Sequence, residues 1–188
     1  MRTLRTVLLS LALGAVTLTG CIITQAQVLA FFELENPFMI GPPPADPIKR
    51  ELVDLNTISD YADHKDDIQG LTDLAIVGTF TTVIGSGGDL EVWMTADNTD
   101  LATASAVMSQ GTMLWGPKSI GAAGSATETV TITWDDSAAL FDPVGKDLLI
   151  QEVKGDGVFT VYIFSAGAPS QTFEVEDGAI ILTLSAGP

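Results

Sequence analysis

The sequence predicts an all-β domain: an antiparallel β-sandwich of the Greek-key type, with about eight strands and two or three short helices in its connections. Three observations carry this prediction. Short segments alternate apolar and polar residues with a period of two, turn residues separate them at close intervals, and helical patterns do not alternate regularly with strands as a parallel α/β fold requires. The predicted strands are residues 28–34, 48–55, 74–84, 90–95, 127–134, 158–165, 172–176 and 179–184.

The first two connections between strands are predicted to be a proline-rich loop and a helix. Five prolines fall within residues 37–47. Because proline fixes φ and lacks an amide donor, we expect a stiff extended loop there, with no helix or ladder. After the second strand, residues 56–70 change to a helical period. The apolar face and the glycine stop of that predicted helix are Ile58, Tyr61, Ala62, Ile68 and Gly70.

Two turns have the composition of β-hairpin turns. The glycine-rich Gly85–Asp89 follows the strand at 74–84, and Asp177-Gly178 follows the strand at 172–176. Glycine and Asp-Gly pairs adopt the positive φ angles that tight hairpin turns need. We therefore expect each of these strands to pair with the next strand along the chain.

Two further helices are predicted in the second half of the chain. Asp97-Asn98-Thr99-Asp100 looks like the cap of a helix at 101–109, and Asp142-Pro143 begins a helix at 143–154 that Gly155 ends. The apolar face of this last helix consists of Val144, Leu148, Leu149 and Val153. Between the helices, Gly116-Pro117 separates two short extended segments at 112–115 and 119–120.

The amino terminus has the pattern of an export signal. Met1–Arg5 is basic, and the uncharged residues 7–18 are too few to span a bilayer, which takes ~20 helical residues. The run ends in Leu18-Thr19-Gly20-Cys21, which resembles the lipobox of bacterial lipoproteins. The resemblance implies cleavage between Gly20 and Cys21, diacylglyceryl transfer to the Cys21 sulfur and acylation of the new amino terminus. The alternative is an ordinary secretory peptide in which Cys21 happens to follow a small residue.

These signals divide the chain into a cleaved signal peptide at 1–20, a lipidated amino terminus and short tether at 21–27, and one β-sandwich domain at 28–188. Ile22 and Ile23 follow Cys21, with no Asp that would imply retention at the inner membrane. The resemblance therefore implies the bacterial cell envelope, and the outer membrane if the host has two membranes. Residues 52–61 and 65–68 also resemble a recurrent stretch of uncharacterised bacterial surface lipoproteins, which implies no activity.

The composition limits the partners of the domain. Without the signal peptide, six basic residues face 24 acidic ones, a net charge of −18. Such a surface repels phosphate backbones and anionic headgroups, so we expect no nucleic-acid partner and a body that stands off the bilayer. Cys21 is the only cysteine, so we expect no disulfide in the exported domain.

Acidic groups supply the candidate metal ligands. Asp60, Asp63 and Asp67 fall on one face of the predicted helix with His64, the only histidine. A solvated polar face explains them, and one histidine excludes zinc sites with two imidazoles. The loop residues Asp97, Asn98 and Asp100 have better geometry for calcium, although turn and cap formation also explains them. We therefore expect no cofactor, with calcium as the one candidate if a metal binds.

The three tryptophans are predicted to differ in their surroundings. Trp134 shares a strand face with Val130 and Ile132, so we expect it in the core, whereas Trp115 has no predicted position. Trp93 lies opposite Leu90, Val92 and Met94 in its strand, so it faces away from the main core. An exposed Trp93 could stack on a sugar or a protein partner, unless a helix or loop covers it.

No catalytic constellation accompanies these features. There is no phosphate-binding loop and no Gly-x-Ser-x-Gly elbow, and a Ser-His-Asp triad would have to use His64. We therefore predict a non-enzymatic, lipid-anchored envelope protein with a structural or binding role and an unknown protein or glycan ligand. The first alternative is a carbohydrate-binding module in which Trp93 contacts the ligand, with or without the help of calcium bound near Asp97. The second is a glycoside hydrolase with paired carboxylates.

Overall fold

Two antiparallel β-sheets face each other in the computed structural model, which describes residues 26–34, 37–96, 98–166 and 171–187. The predicted lipidation and cleavage residues Cys21 and Gly20 lie outside these ranges, as does Asp97. Within them the prediction of an all-β sandwich is confirmed.

The described residues form nine strands and four α-helices. The strands are β1 (Ala26–Glu33), β2 (Phe38–Ile40), β3 (Lys49–Asp54), β4 (Ile68–Ile84), β5 (Gly88–Ala96), β6 (Thr112–Ile120), β7 (Thr129–Ile132), β8 (Val158–Ala166) and β9 (Thr172–Ala186). The helices are α1 (Ser59–His64), α2 (Ala104–Gln110), α3 (Trp134–Ala138) and α4 (Pro143–Lys154). Short 3-10 turns at Leu55–Thr57 and Lys65–Asp67 flank α1.

The order of the strands places distant segments side by side. The first sheet has the order β1-β9-β4-β7, and β2 also pairs with β9; the second sheet has the order β3-β8-β5-β6. All of these pairings are antiparallel. In the described chain, only β5 and β6 are both consecutive and paired, so long-range contacts define both sheets.

The core lies between the inner faces of the two sheets. Successive side chains of a strand point to opposite faces, so every second side chain enters this core, and in β8 both faces are buried from Phe159 to Phe164. The inner face of β5 is a fully buried apolar row, and the carboxyl half of β9 contributes a matching row from the other sheet. These rows are Leu90, Val92 and Met94 in the second sheet and Ile180, Leu182 and Leu184 in the first. The alternation predicted from the sequence is therefore the pattern that builds the core.

One predicted hairpin is absent, because the structure has a bulge in the centre of the first sheet at that position. The chain does not reverse at Asp177-Gly178; β9 runs straight through it and both of its halves pair with β4. Between the pairs Val77–Ala179 and Thr79–Glu176, Gly78 of β4 faces two residues of β9. Asp177 has a φ of 52° and Gly78 a φ of 149°. The hairpin prediction was wrong because a bulge uses the same positive φ as a tight turn.

The second predicted hairpin is also wrong. The strands on either side of Gly85–Asp89 belong to different sheets: β4 pairs with β7 and β9, whereas β5 pairs with β6 and β8. Both edges of β4 are occupied, so the chain crosses to the other sheet at Gly85 and Gly87, whose φ angles are 103° and 76°. Alternation identifies the buried side of each strand. Two such strands can be neighbours in one sheet, or they can lie in opposite sheets with their buried sides facing each other.

The predicted helix at 56–70 is shorter in the structure. Helix α1 ends at His64, and β4 begins at Ile68, which is paired with Ala186. Gly70 is therefore inside a strand and does not stop a helix. Tyr61 and Ile68 are both buried, as predicted. They belong to two different elements, α1 and β4, and their spacing in the sequence only resembles that of one helix face.

Other element boundaries also differ from the predictions. The proline-rich loop includes β2, whose Phe38 and Ile40 are buried against β9. The two segments around Gly116-Pro117 are one strand, β6, with a register shift at that point. Helix α2 begins after Thr103, whose hydroxyl accepts the Ala106 amide at 3.2 Å, and not after the acidic cap predicted at 97–100.

The edge beside β7 is closed by side chains that join the two sheets. Ser137 of α3 is fully buried; its Oγ accepts the amide N–H of Ile76 in the first sheet at 2.7 Å. The indole Nε1 of Trp115 in the second sheet donates to the same oxygen and to the Ser137 carbonyl, both at 3.1 Å. Trp115, which has no predicted position, is therefore a fully buried link between the sheets.

Trp134 is not the core residue that its alternation predicts. Strand β7 ends at Ile132, and Trp134 is the first residue of α3. Thr133 and Asp136 form a reciprocal capping box there, and the Thr133 hydroxyl that donates to the Asp136 carboxylate lowers the pKa of Asp136. The Trp134 ring is only partly buried, and its Nε1 donates to Asp73 at 2.9 Å.

Helix α4 matches its predicted bounds and packs against both sheets. Asp142 caps it by accepting the amides of Val144 and Gly145, and Pro143 occupies the first turn. Its buried face consists of Gly145, Leu149 and Val153, whereas Val144, predicted on that face, is exposed. A Cβ on Gly145 would lie 2.1 Å from the Met113 carbonyl, so the helix approaches β6 more closely than any side chain allows.

Tyr61 connects α1 to α4. Its ring is fully buried, and its hydroxyl donates to the Val153 carbonyl at 2.8 Å. Burial raises the pKa of Tyr61, and the carboxylates of Asp156 and Asp54 raise it further because they oppose a second negative charge. The fold therefore favours the neutral phenol.

The bulge predicts that an added side chain in β4 lowers the free energy of unfolding more at Gly78 than at Gly70. In Gly78→Ala the new Cβ would lie 3.1 Å from the Gly178 Cα at a φ that alanine rarely adopts, so we expect a loss of about 1–3 kcal/mol in the free energy of unfolding. Gly70→Ala, in the same strand, is the control, because its nearest contact would be the Ser185 hydroxyl at 3.9 Å. Urea denaturation of both variants measures the difference; equal stabilities would contradict the bulge.

The raised pKa of Tyr61 predicts alkaline destabilisation. The contribution of the neutral phenol is complete below the ordinary tyrosine value of 10.0 and is lost as the pH rises from there through the higher folded-state pKa. In Tyr61→Phe, we expect about 1 kcal/mol less stability at neutral pH, because one hydrogen bond is lost. Above pH 10.0 the stability of the variant should fall less steeply than that of the wild type. Parallel slopes in urea denaturation across this range would refute the assignment.

Candidate functional site

The outer face of the second sheet contains Trp93, the predicted ligand contact. Trp93 pairs with Tyr162 of β8 and lies on the opposite side of β5 from the fully buried row in the core. Its ring is partly buried and stacks on Phe164, with centroids 6.3 Å apart and an interplanar angle of 26°. Its Nε1 donates to the Glu91 carboxylate at 2.8 Å. The ring therefore faces outward as predicted, but one face and its only polar atom already have partners within the protein.

The loop that contains Asn98 and Asp100 lies against the same face. The hydroxyl of Tyr162 donates to the Thr99 carbonyl, and Arg50 of β3, which pairs with Tyr162, reaches the loop from the neighbouring strand. The Arg50 Nε donates to the Thr99 carbonyl at 3.1 Å, and its guanidinium also donates to the Asn98 side-chain oxygen. The structure thus brings two of the predicted calcium ligands to the side of the sheet that carries Trp93.

Arg50 gives this loop a cation from within the chain. The oxygens that could bind calcium are the Asn98 side-chain oxygen, the Thr99 carbonyl and the Asp100 carboxylate. The first two accept hydrogen bonds from Arg50, and the Asp100 carboxylate lies 3.9 Å from the Arg50 Nε. Asp100 is largely exposed, so this ion pair contributes little to stability. The hydrogen bonds of Arg50 and of the Tyr162 hydroxyl hold the loop against the sheet.

The acidic residues around α1 do not form the predicted continuous face. Asp60, Asp63 and His64 lie in α1 and are exposed, but the helix ends before Asp67, which belongs to a 3-10 turn. The shared face required an unbroken helix from Asp60 to Asp67, so that part of the prediction is wrong. In residues 26–34, 37–96, 98–166 and 171–187, no three His, Cys, Asp or Glu side chains are grouped as metal ligands.

Sequence reasoning missed Arg50, the residue that organises this face. Its partner Asn98 lies 48 residues away, and no spacing rule connects a charged residue in an edge strand with a distant loop. The one usable signal was the alternation of β3, which places Arg50 on the side opposite the buried Val53. Only the pairing of β3 with β8 brings Arg50 beside Tyr162, and so to the loop.

This arrangement predicts how the loop responds to calcium. Because Arg50 already binds the Asn98 and Thr99 oxygens, we expect no change in the melting temperature of the wild-type domain on addition of calcium chloride. Arg50→Gln should lower the melting temperature, because the loop loses both hydrogen bonds. Arg50→Lys is the control that retains the charge without the planar fork of donors. A calcium-dependent rise in the wild type, absent with magnesium, would show that calcium displaces Arg50.

The remaining observations concern the membrane and known proteins. None of the helices in the described ranges is long and apolar enough to cross a bilayer. Cys21 lies outside those ranges, so its lipidation stays a prediction from the sequence. No protein-family model matches the chain, and no curated protein is similar to it in sequence.

Proposed function

We propose that this protein is a lipid-anchored component of a bacterial cell envelope, whose β-sandwich has a structural or binding role and no catalytic one. The observation that carries the proposal is the sequence Leu18-Thr19-Gly20-Cys21 at the end of an uncharged apolar run. The single cysteine falls at the one position of that motif where it is modified. Two or three acyl chains on Cys21 would hold the protein firmly, because each buried methylene contributes ~0.8 kcal/mol.

The start of the fold supports an anchor at this position. Strand β1 begins at Ala26, five residues after Cys21 and two residues before the predicted start of the domain. An extended chain covers at most about 3.6 Å per residue, so Cys21 and Ala26 can be no more than about 18 Å apart. A short tether of this kind keeps the sandwich beside the membrane in which the acyl chains are embedded.

The surroundings of the polar side chains support a non-catalytic role. His64, the only histidine of the sequence, is exposed on α1. Ser137 is fully buried, and its hydroxyl is engaged by the Ile76 amide and the Trp115 indole. A histidine-dependent nucleophile would need a serine within hydrogen-bond reach of His64. We therefore propose that the sandwich acts by presenting surfaces, at the outer membrane if the host has two membranes.

The anchor predicts a clear effect of one substitution. Cys21→Ser should release the protein from the membrane fraction and abolish its labelling by an alkyne analogue of palmitate, because serine has no sulfur to accept the diacylglyceryl group. Thr17→Ser, which leaves residues 18–21 intact, is the matched control and should keep both properties. Circular dichroism of the released protein should retain its β-sheet signal. Persistent membrane attachment of the folded Cys21→Ser protein would refute the proposal.

A further inference from the structure

The outer face of the first sheet has an exposed apolar surface on β1, the first described strand after the proposed anchor in sequence. Leu29 and Phe31 of β1 are 59% and 54% exposed, whereas Val28 and Ala30 between them are buried. Phe31 pairs with Ile181 of β9, and Leu29 pairs with Thr183. We call the four side chains Leu29, Phe31, Ile181 and Thr183 the β1 face.

The β1 face is uncharged in a strongly acidic protein. From Ala26 to Phe32 the strand contains no charged residue, and the neighbouring outward positions of β9 are Ala179, Ile181, Thr183 and Ser185. Asp73 pairs with Thr183 from the other side, and its carboxylate accepts the Trp134 indole N–H. Glu33 lies at the far end of β1. The exposed Asp60 and Asp63 belong to α1, a helix that contacts β1.

Two other exposed apolar residues, Val144 and Leu52, have charged neighbours. Val144 of α4 is 67% exposed, but Asp142, Lys146 and Asp147 lie within three residues of it. Leu52 of β3 is also exposed, and its chain neighbours include Glu51. The β1 face differs from both by being apolar, free of charge and located in the first strand after Cys21.

We propose that the β1 face lies against the lipid bilayer, so that the first sheet faces the membrane and the outer face of the second sheet is turned away from it. This inference rests on the proposed lipid anchor. The anchor confines the domain near the bilayer, so a small apolar contact suffices to orient it. Binding of this kind increases with the apolar area buried, and an uncharged face avoids the repulsion between the acidic body and anionic headgroups.

The size of the face favours lipid over a second copy of the chain. A stable protein interface buries roughly 1,200 Å² or more in total. The β1 face offers four side chains, of which Ile181 and Thr183 are only partly exposed. Two copies would also bring together two bodies that each carry a net charge of −18. A contact that the acyl chains already hold in place needs neither a large area nor opposite charge.

The orientation refines the expectation that the acidic body stands off the membrane. That expectation treated the charge as evenly spread over the surface. The structure shows an uncharged apolar face on β1, so one side of the body can approach neutral lipid while the acidic sides remain in water. It also leaves the exposed loop residues Asn98 and Asp100, on the other sheet, directed toward solvent, with Trp93 partly buried on the same face.

Site-specific fluorescence tests the orientation. The mature lipidated protein, whose Cys21 sulfur is consumed by the anchor, receives one new cysteine for an environment-sensitive fluorophore. Leu29→Cys reports on the β1 face, and Val144→Cys is the exposed control on α4. Ile181→Cys provides a second reporter should the first variant fail to fold. The proteins are reconstituted in phosphatidylcholine vesicles with a nitroxide-labelled lipid, and iodide is used as the aqueous quencher.

Flotation of the vesicles reports the anchor, and quenching reports the orientation. We expect the labels at 29 and 181 to lose most of their emission to the nitroxide lipid and little to iodide, with the reverse at 144. Floating protein whose label at 29 is as accessible to iodide as that at 144 would overturn the orientation and leave the anchor intact. Shielding from both quenchers would also overturn it, because a second copy or another segment would then cover the face. Protein that fails to float would refute the anchor and the orientation together.

Discussion

The pairing of β4 with β9 is the interaction on which the rest of the structure depends. These two strands, the longest in the described chain, form the centre of the first sheet, and β1, β2 and β7 pair only with their outer edges. The bulge formed by Gly78 opposite Asp177 and Gly178 lets both strands continue through an irregularity that would otherwise end them. Because β4 and β9 are distant in sequence, their pairing brings β1, β2 and β7 into one sheet.

Buried hydrogen bonds at the sides of the sandwich link separate elements, as disulfides do in many small exported domains. Ser137 receives hydrogen bonds from one residue of each sheet, Ile76 and Trp115. Tyr61 joins α1 to α4 through the Val153 carbonyl. Each of these bonds is shielded from water, so leaving one partner unsatisfied costs more than an exposed hydrogen bond contributes. The sandwich is thereby closed at its sides without a cysteine in residues 26–187.

The two outer faces differ in chemistry, and this difference is the basis of the functional proposals. The outer face of the first sheet is apolar and uncharged around Leu29 and Phe31, close to the start of the domain. The outer face of the second sheet has an aromatic pair, Trp93 and Phe164, beside a loop held by Arg50. If the proposed anchor holds the first sheet at the membrane, the second sheet lies on the side away from it. The sandwich fold itself is compatible with many functions, so the faces and the anchor carry the argument.

The sequence by itself determined the all-β class, the buried positions of most strands and the bounds of α4, because these depend on local periodicity and local capping. It also placed Trp93 on the side of its strand away from the core. Only the tertiary structure decided that β4 and β5 belong to different sheets, that Asp177 forms a bulge and that Arg50 holds Asn98. The physical reason is that alternation records which side of a strand is buried. It contains no information about which distant strand lies beside it, and that choice is made by the packing of the whole core.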